Sequence, residues 1–390
     1  MIPDQASTAS DLSLRIVERI DAIPASSWNA LGVRAYPFLR HEFLTALENE
    51  GCLGERYGWL PRHITLWSGE RLVGASPLYL KFNSYGEFVF DWSWADAYRR
   101  HGLDYYPKLV SASPYTPATG PKLLLHDEAP AHTATQLSVA ALELARQSEV
   151  SSLHWLFTLA HENALLESAG LLRRTGCQFH WQNRGYPSFD AFLASLSAAK
   201  RKNIRRERRK VGEAGVRFRL LDGNSASDDD WTLFHGLYES TFDRRGGMPT
   251  LSLGFFRAIA RSMPEAVLLI VAEQHASPVA AAFCLVGETT LYGRHWGCSR
   301  YVDNLHFETC YYQGIEYCIE HGLQRFEPGA QGEHKVPRGF LPTETLSAHW
   351  IADARFADAI SRHLHFEREG MIDYMKEMAA HSPYRNEEAP

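Results

Sequence analysis

Apolar positions along the chain fall into two similar blocks. In RHITLWSGERLVGASPLYLKF (Arg62–Phe82) an apolar run meets a Ser-Gly-Glu turn and then a second apolar run, which predicts a β-hairpin. VLLIVAEQHASPVAAAFCLVGETTLYGRHWG (Val267–Gly297) repeats run, turn and run, and adds a third strand. Val73-Gly74-Ala75 and Val279-Ala280-Ala281 hold equivalent places just after the turn. Each block also reaches a tryptophan, Trp94 and Trp296. The offsets are 206 residues for the valines and 202 for the tryptophans. Such spacing predicts an internal duplication, and hence two domains of similar fold.

Between the blocks the period turns helical. TATQLSVAALELARQ (Thr133–Gln147) has helical spacing, and SLHWLFT (Ser152–Thr158) reads as a short buried strand. SFDAFLASL (Ser188–Leu196) opens on a Ser cap. AKRKNIRRERRKVGEAG (Ala199–Gly215) follows, rich in helix formers and free of Pro and Gly until Gly212. Ile204 and Val211 share one stripe of it, and Gly215 is the expected stop before the strand VRFRLL (Val216–Leu221). A helix is expected over Asn304–Glu320. Arg325–Trp350 reads as a strand, a polar Gly/Pro loop and another strand. Strands alternating with helices, plus hairpins, predict a mixed α/β protein. The expected organisation is a lead-in (1–26), an N-terminal domain (27–185), a C-terminal domain (186–381) carrying the basic helix at 199–212, and a frayed tail (382–390).

Charge sharpens this picture. The chain has 40 Lys+Arg against 46 Asp+Glu, a net charge of −6. Eight of the eleven residues from Lys200 to Lys210 are basic, and Glu207 is the only acid among them. Without that run the chain has 32 basic and 45 acidic residues, a net of −13. A protein that coats nucleic acid is normally basic overall. This one is expected to take an anion at one place, with Lys202, Arg205, Arg206 and Arg209 as the phosphate ligands. The plainer alternative is a solvated helix face. The six cysteines, at 52, 177, 284, 298, 310 and 318, form no C-x-x-C pair, so reduced thiols and no zinc site are expected. The N-terminus has neither a basic n-region nor an apolar h-region, and no run approaches the length of a bilayer span, so a cytoplasmic location is expected.

Two segments offer chemistry. On the helix 304–320, Leu305, Tyr312, Ile315 and Ile319 form an apolar stripe with Glu308 in its middle. A carboxylate there is expected to be desolvated, which makes Glu308 a general-base candidate; the alternative is a Glu paired with a buried Arg. The loop EPGAQGEHKVPRGF (Glu327–Phe340) offers Glu327, Gln331, Glu333, His334, Lys335 and Arg338. His334 is a second proton acceptor, and Lys335 and Arg338 are candidates to stabilise an oxyanion or hold phosphate. Nucleophile-elbow, dinucleotide, Walker and zincin patterns are absent from the sequence. His295 and His306, set among aromatics, read as structural.

KRKNIRRERRKVGEAGV, RHWG and LHFETCYYQGIEYCIEHGLQRFEPGAQGEHKVPRGF together resemble the bacterial FemAB-like proteins, from about Ser27 to His365. The resemblance implies two tandem GNAT-like acyltransferase domains. The more distant Fem aminoacyltransferases move an amino acid from aminoacyl-tRNA to an amine of a peptidoglycan precursor. Lys202-Asn203-Ile204-Arg205, Gly215-Val216, Gly322-Leu323, Phe326-Glu327, Gly329 and Arg338-Gly339-Phe340 are similar to their pattern in order. Pro337 stands where that family has a Lys, with Lys335 two residues earlier. The acetyl-CoA loop of ordinary GNAT enzymes has no match. The resemblance therefore implies direct acyl or aminoacyl transfer to an amine, from aminoacyl-tRNA or acyl-CoA as co-substrate, without a tightly bound cofactor or metal. One of the two halves could be degenerate. A different class also fits the sequence: a non-catalytic module that holds RNA or an anionic envelope precursor on the basic helix.

Overall fold

The computed structural model describes residues 12–330 and 332–385. Its first half supplies β1 (Leu12–Val17), β2 (Trp59–Pro61), β3 (His63–Ser68), β4 (Arg71–Ser76), β5 (Tyr79–Lys81), β6 (Lys108–Ser111), β7 (Leu124–Leu125), β8 (Ser152–Thr158) and β9 (Leu172–Gln182). The second supplies β10 (Val216–Leu221), β11 (Val267–Gln274), β12 (Ser277–Val286), β13 (Thr290–Cys298), β14 (Arg325–Glu327) and β15 (Leu341–Ile351). A small sheet has the order β1-β3-β4-β7. A large one runs β10-β11-β12-β13-β14-β9-β15-β8-β6-β5-β2.

The large sheet repeats one motif in opposite directions from its centre. In the second half β13 pairs parallel with β14, over Thr290–Tyr292 and Arg325–Glu327. In the first half β6 pairs parallel with β8, over Leu109–Ser111 and Leu153–Trp155. The last strand of each half then crosses over. β9 lies antiparallel to β14, β15 lies antiparallel to β8, and β9 and β15 pair with each other. The boundary drawn at 185/186 thus falls in a linker, but β9 completes the second half and β15 the first.

Local patterns translate directly. Helices occupy Thr133–Gln147 and Phe189–Ser195, and Ser188 Oγ accepts from Ala191 N as the cap. The basic helix spans Ala198–Glu213, and Gly215 ends it at φ 76°, a left-handed value that favours glycine. Val73 and Val279 do lie at equivalent places, early in β4 and β12. The tryptophans do not: Trp94 sits in a helix (Trp92–Arg100), whereas Trp296 sits in β13, whose counterpart is β6. The expected lead-in is likewise revised, because β1 pairs with β3 from Leu12 onward. So is the tail. Ser197 N donates to Pro383 O at 2.9 Å, and Tyr384 Oη donates to Gly339 O at 2.8 Å, so the chain is docked through Arg385. One apolar core spans both halves, with Phe38 and Tyr292 rings 5.0 Å apart within it.

Candidate active site

The parallel pair β13–β14 holds for three residues and then opens. β14 ends at Glu327 and the chain turns away at Pro328, while β13 continues to Cys298. β13 also carries a bulge: Phe283 faces His295 and Cys284 faces Gly293, which leaves Arg294 as the extra residue. The helix Asp228–Arg245 closes one side. It packs so near β13 that a Cβ on Gly297 would lie 2.3 Å from Leu237 O. The result is a cavity of about 560 Å³. Its lining includes His295, His306, Tyr311, His334 and Lys335.

The helix over 305–320 forms as expected but contains a π-helical turn at Glu308–Tyr312. The extra residue in that turn rotates the stripe. Tyr312 and Ile315 stay buried, Cys318 joins them, and Ile319 moves to half-burial. Glu308 is buried, and burial pushes its carboxyl above the usual range against the pull of Arg208. Arg208 Nε contacts both its oxygens, at 3.1 and 3.2 Å, and Gln313 Nε2 donates to Oε1 at 2.8 Å. Glu308 does not line the cavity. The geometry therefore favours the paired Glu over the free base, because the basic helix turns Arg208 inward to meet it.

The polar loop folds as a 3₁₀ turn, Glu333–Arg338, and Gln331 lies outside the described residues. Lys335 is buried against the cavity, and its Nζ donates to Gly329 O at 2.7 Å. With no carboxylate among its partners in the described residues, burial pulls its ammonium down to about 8. His334 meets Tyr311 Oη through Nε2 at 2.8 Å. Burial, then the charges of Lys335 and Arg338, lower its pKa and favour the neutral ring. Arg338 faces elsewhere. Its guanidinium lies 3.4 Å from the Phe307 ring centre and donates to Tyr312 Oη (3.1 Å), His334 O (2.6 Å) and Glu207 Oε1 (2.8 Å). That engagement ties the turn to the basic helix and leaves Arg338 out of the cavity, contrary to the oxyanion role expected for it. Glu333 accepts from Tyr374 Oη at 3.0 Å. Glu327 is deeply buried; Arg325 Nε comes within 3.1 Å but off the hydrogen-bonding direction, so both carboxyl oxygens lack a donor among the described residues. Burial pushes that carboxyl up to about 7.

The basic helix is two-sided. Ile204 and Val211 are buried, and Glu207 and Arg208 reach inward to Arg338 and Glu308. Lys202, Arg205, Arg206 and Arg209 are all exposed. Their spacings of three and four put them on one outward stripe, where like charges repel by ~0.2–0.5 kcal/mol per pair. Arg205 meets Asp190 at 3.0 Å and Arg209 meets Glu213 at 3.3 Å, both solvent-exposed pairs of little net worth. Lys202 and Arg206 have no acidic partner among the described residues. The same helix packs, through its inward face, on the π-helical turn and on the 3₁₀ turn.

His295 is the residue that sequence reading took as structural. It lines the cavity from the β13 bulge, and its Nε2 is buried without a hydrogen-bond partner among the described residues. Burial, with Arg294 beside it, holds its pKa well below the ordinary histidine value, so the ring is neutral. The signal that could have found it is the bulge, which depends on strand pairing. Arg294 reaches the other half and donates to Tyr115 O. A second groove of about 270 Å³, lined by Phe88, Phe90 and Arg174, shares Ala330 with the cavity. No group of His, Cys, Asp and Glu suited to a metal occurs among the described residues.

The FemAB-like family, described as peptidoglycan biosynthesis/recognition, matches residues 19–386. No curated protein matches the sequence. Similar solved structures include FemX, 12% identical, which covers 87% of this chain and 98% of its own at a TM-score of 0.53. Another is the C-terminal domain of an Agrobacterium fabrum protein assigned as a lysylphosphatidylglycerol synthetase, 11% identical, with 87% and 94% covered and a TM-score of 0.55. A tandem GNAT protein from the clavulanic acid biosynthesis pathway is 13% identical, with 88% and 99% covered and a TM-score of 0.47. At these identities the likeness is one of fold. That fold is mixed α/β in two halves that each carry a parallel strand pair, in keeping with the mixed α/β class and duplication expected from the sequence.

Proposed function

Because the chain belongs to the FemAB-like family, we propose that it is an acyltransferase. It moves an aminoacyl or acyl group from a phosphate-bearing donor, aminoacyl-tRNA or acyl-CoA, to an amine of a cell-envelope precursor such as a peptidoglycan precursor. One observation carries the reading: a neutral histidine, whose Nε2 has no partner among the described residues, and a buried lysine line the same cavity. Names of the fold relatives, FemX and a lysylphosphatidylglycerol synthetase, are in keeping with it.

The acceptor nitrogen attacks the donor carbonyl carbon and a C–N bond forms. His295 Nε2 takes the proton the amine must lose, with the His334–Tyr311 pair as a second acceptor. The Lys335 ammonium faces the oxygen that gains charge. The C–O or C–S bond to the donor then breaks, and the leaving group recovers the proton. Glu308 and Arg338 act indirectly, by holding the helix 305–320 and the 3₁₀ turn against the basic helix. The stripe of Lys202, Arg205, Arg206 and Arg209 holds the donor's phosphates. No covalent enzyme intermediate and no tightly bound cofactor is needed.

The test is transfer of a labelled group from each donor to a muropeptide amine. Product is expected with one donor. His295→Asn should lower kcat ~100-fold. Arg205→Ala/Arg206→Ala should raise the donor KM about tenfold and flatten its salt dependence. Salt-sensitive binding with no product from any donor would instead favour the binding-module reading.

A further inference from the structure

Residues 82–92, FNSYGEFVFDW, fold inside out. Ser84, Glu87 and Asp91 are buried, each at most 5% exposed, while Phe82, Tyr85, Phe88, Phe90 and Trp92 are 39–70% exposed. Hydrophobic burial alone would produce the reverse. Two buried lysines hold the loop this way. Lys108 Nζ donates to Ser84 Oγ at 2.9 Å, to Glu87 Oε2 at 2.8 Å and to Asp91 Oδ2. Lys81 Nζ donates to Tyr85 O at 3.1 Å and to Asn83 Oδ1 at 3.3 Å. Trp59 Nε1 also donates to Tyr85 O, at 3.2 Å. Phe88 takes φ 60°, a strained value for a bulky residue, and its ring stays exposed.

The exposed rings make a connected surface. Phe90 and Trp92 ring centres are 5.1 Å apart. Phe88 and Phe90 line one groove, and Trp92 lines another with Leu103, itself 38% exposed. We propose that this loop docks the protein on a lipid bilayer, with its aromatic rings in the headgroup–acyl boundary. The occupant follows from what the loop presents. A sugar or a polar protein face needs hydrogen-bond partners beside the rings. Here the loop's carboxylates and Ser84 hydroxyl are turned inward and consumed by Lys108. What the loop itself leaves outward is Phe, Tyr and Trp, the side chains that suit the membrane interface. Of the charged neighbours in the grooves they line, Arg174 is paired with Glu367 and Arg99 with Asp96. Arg99 lines the Trp92 groove, and it and Arg100 are highly exposed on the helix that follows, both paired with Asp96; exposed arginines of this kind reach lipid phosphates. The attachment is peripheral and does not depend on the transferase reading.

Flotation with phosphatidylcholine vesicles, and with phosphatidylcholine/phosphatidylglycerol vesicles, tests it on the full chain. Wild type is expected to float with both kinds and to stay bound at high salt. Tyr85→Ser/Phe90→Ser/Trp92→Ser should lower partitioning at least about tenfold, while Arg205→Ala/Arg206→Ala should not. If the triple variant fails to fold, quenching by brominated lipid decides: it should fall in Trp92→Phe, which alters only an exposed ring. The proposal is overturned if wild type ignores vesicles, if salt releases it, or if the loop variant binds as wild type does.

Discussion

Lys108 in the first half and Lys335 in the second are both buried near a parallel strand pair, and these two are treated oppositely. Lys108 is fully buried, and although burial works against its charge, Glu87 and Asp91 hold its pKa above the ordinary value. Lys335 is 2% exposed, meets one carbonyl oxygen, and is pulled down to about 8. The surroundings follow suit. Next to Lys108, His154 and His349 face each other at 2.7 Å through Nδ1, and burial depresses both, His154 to about 3. Their Nε2 atoms meet Ser152 and Ser347 hydroxyls at 2.8 Å, which extends the polar network around Lys108. Lys335 instead shares a cavity with His295, whose buried Nε2 has no hydrogen-bond partner among the described residues. The same fold thus surrounds Lys108 with a clasp of carboxylates and leaves Lys335 on a carbonyl at the edge of a cavity.

Removing the clasp should have the largest effect. Lys108→Met leaves two carboxylates buried without their cation, a loss of ~3–5 kcal/mol. Urea unfolding near neutral pH measures it, and a loss under ~1 kcal/mol would mean that the first half does not depend on this network. Lys335→Met should do the converse. Turnover should fall ~10²–10³-fold, while the melting temperature holds or rises, because a lone buried ammonium costs stability. The wild-type rate should also decline as pH rises through about 8, where Lys335 loses its proton. A variant that keeps this decline would remove Lys335 from the chemistry. The smallest effect concerns Glu327, raised from the usual 4.5 to about 7 by burial. The native state binds more protons than the unfolded chain across that window, so stability should fall as pH rises from about 4.5 to about 7. The cost above the window is on the order of 3 kcal/mol at most. Denaturation at about pH 5 and about pH 8 should show this slope in wild type and lose it in Glu327→Gln.

Legibility tracked the range of the interaction. Thr133–Gln147, Ser152–Thr158 and the Ser188 cap were readable because period and capping are local. The stripe of Lys202, Arg205, Arg206 and Arg209 was readable for the same reason: helical spacing alone puts the four on one side. The helix Ala354–Ala380 gave little signal, since only Ile360, Leu364 and Met378 are buried along it. The Trp94–Trp296 equivalence failed because tryptophans are placed by packing, not by a repeat.

By itself, the sequence determined the mixed α/β class, the duplicated hairpins, the family likeness and the cationic outer face, all of which rest on neighbours a few residues apart. Tertiary structure decided the rest. It chose which acids became partners of arginines, since Glu308 meets Arg208 across 100 positions. It exchanged β9 and β15 between halves. It opened β13 from β14 over a bulge, and so left His295 and Lys335 facing one cavity. Each of these depends on strand register and on burial, and neither is a property of any short stretch of chain.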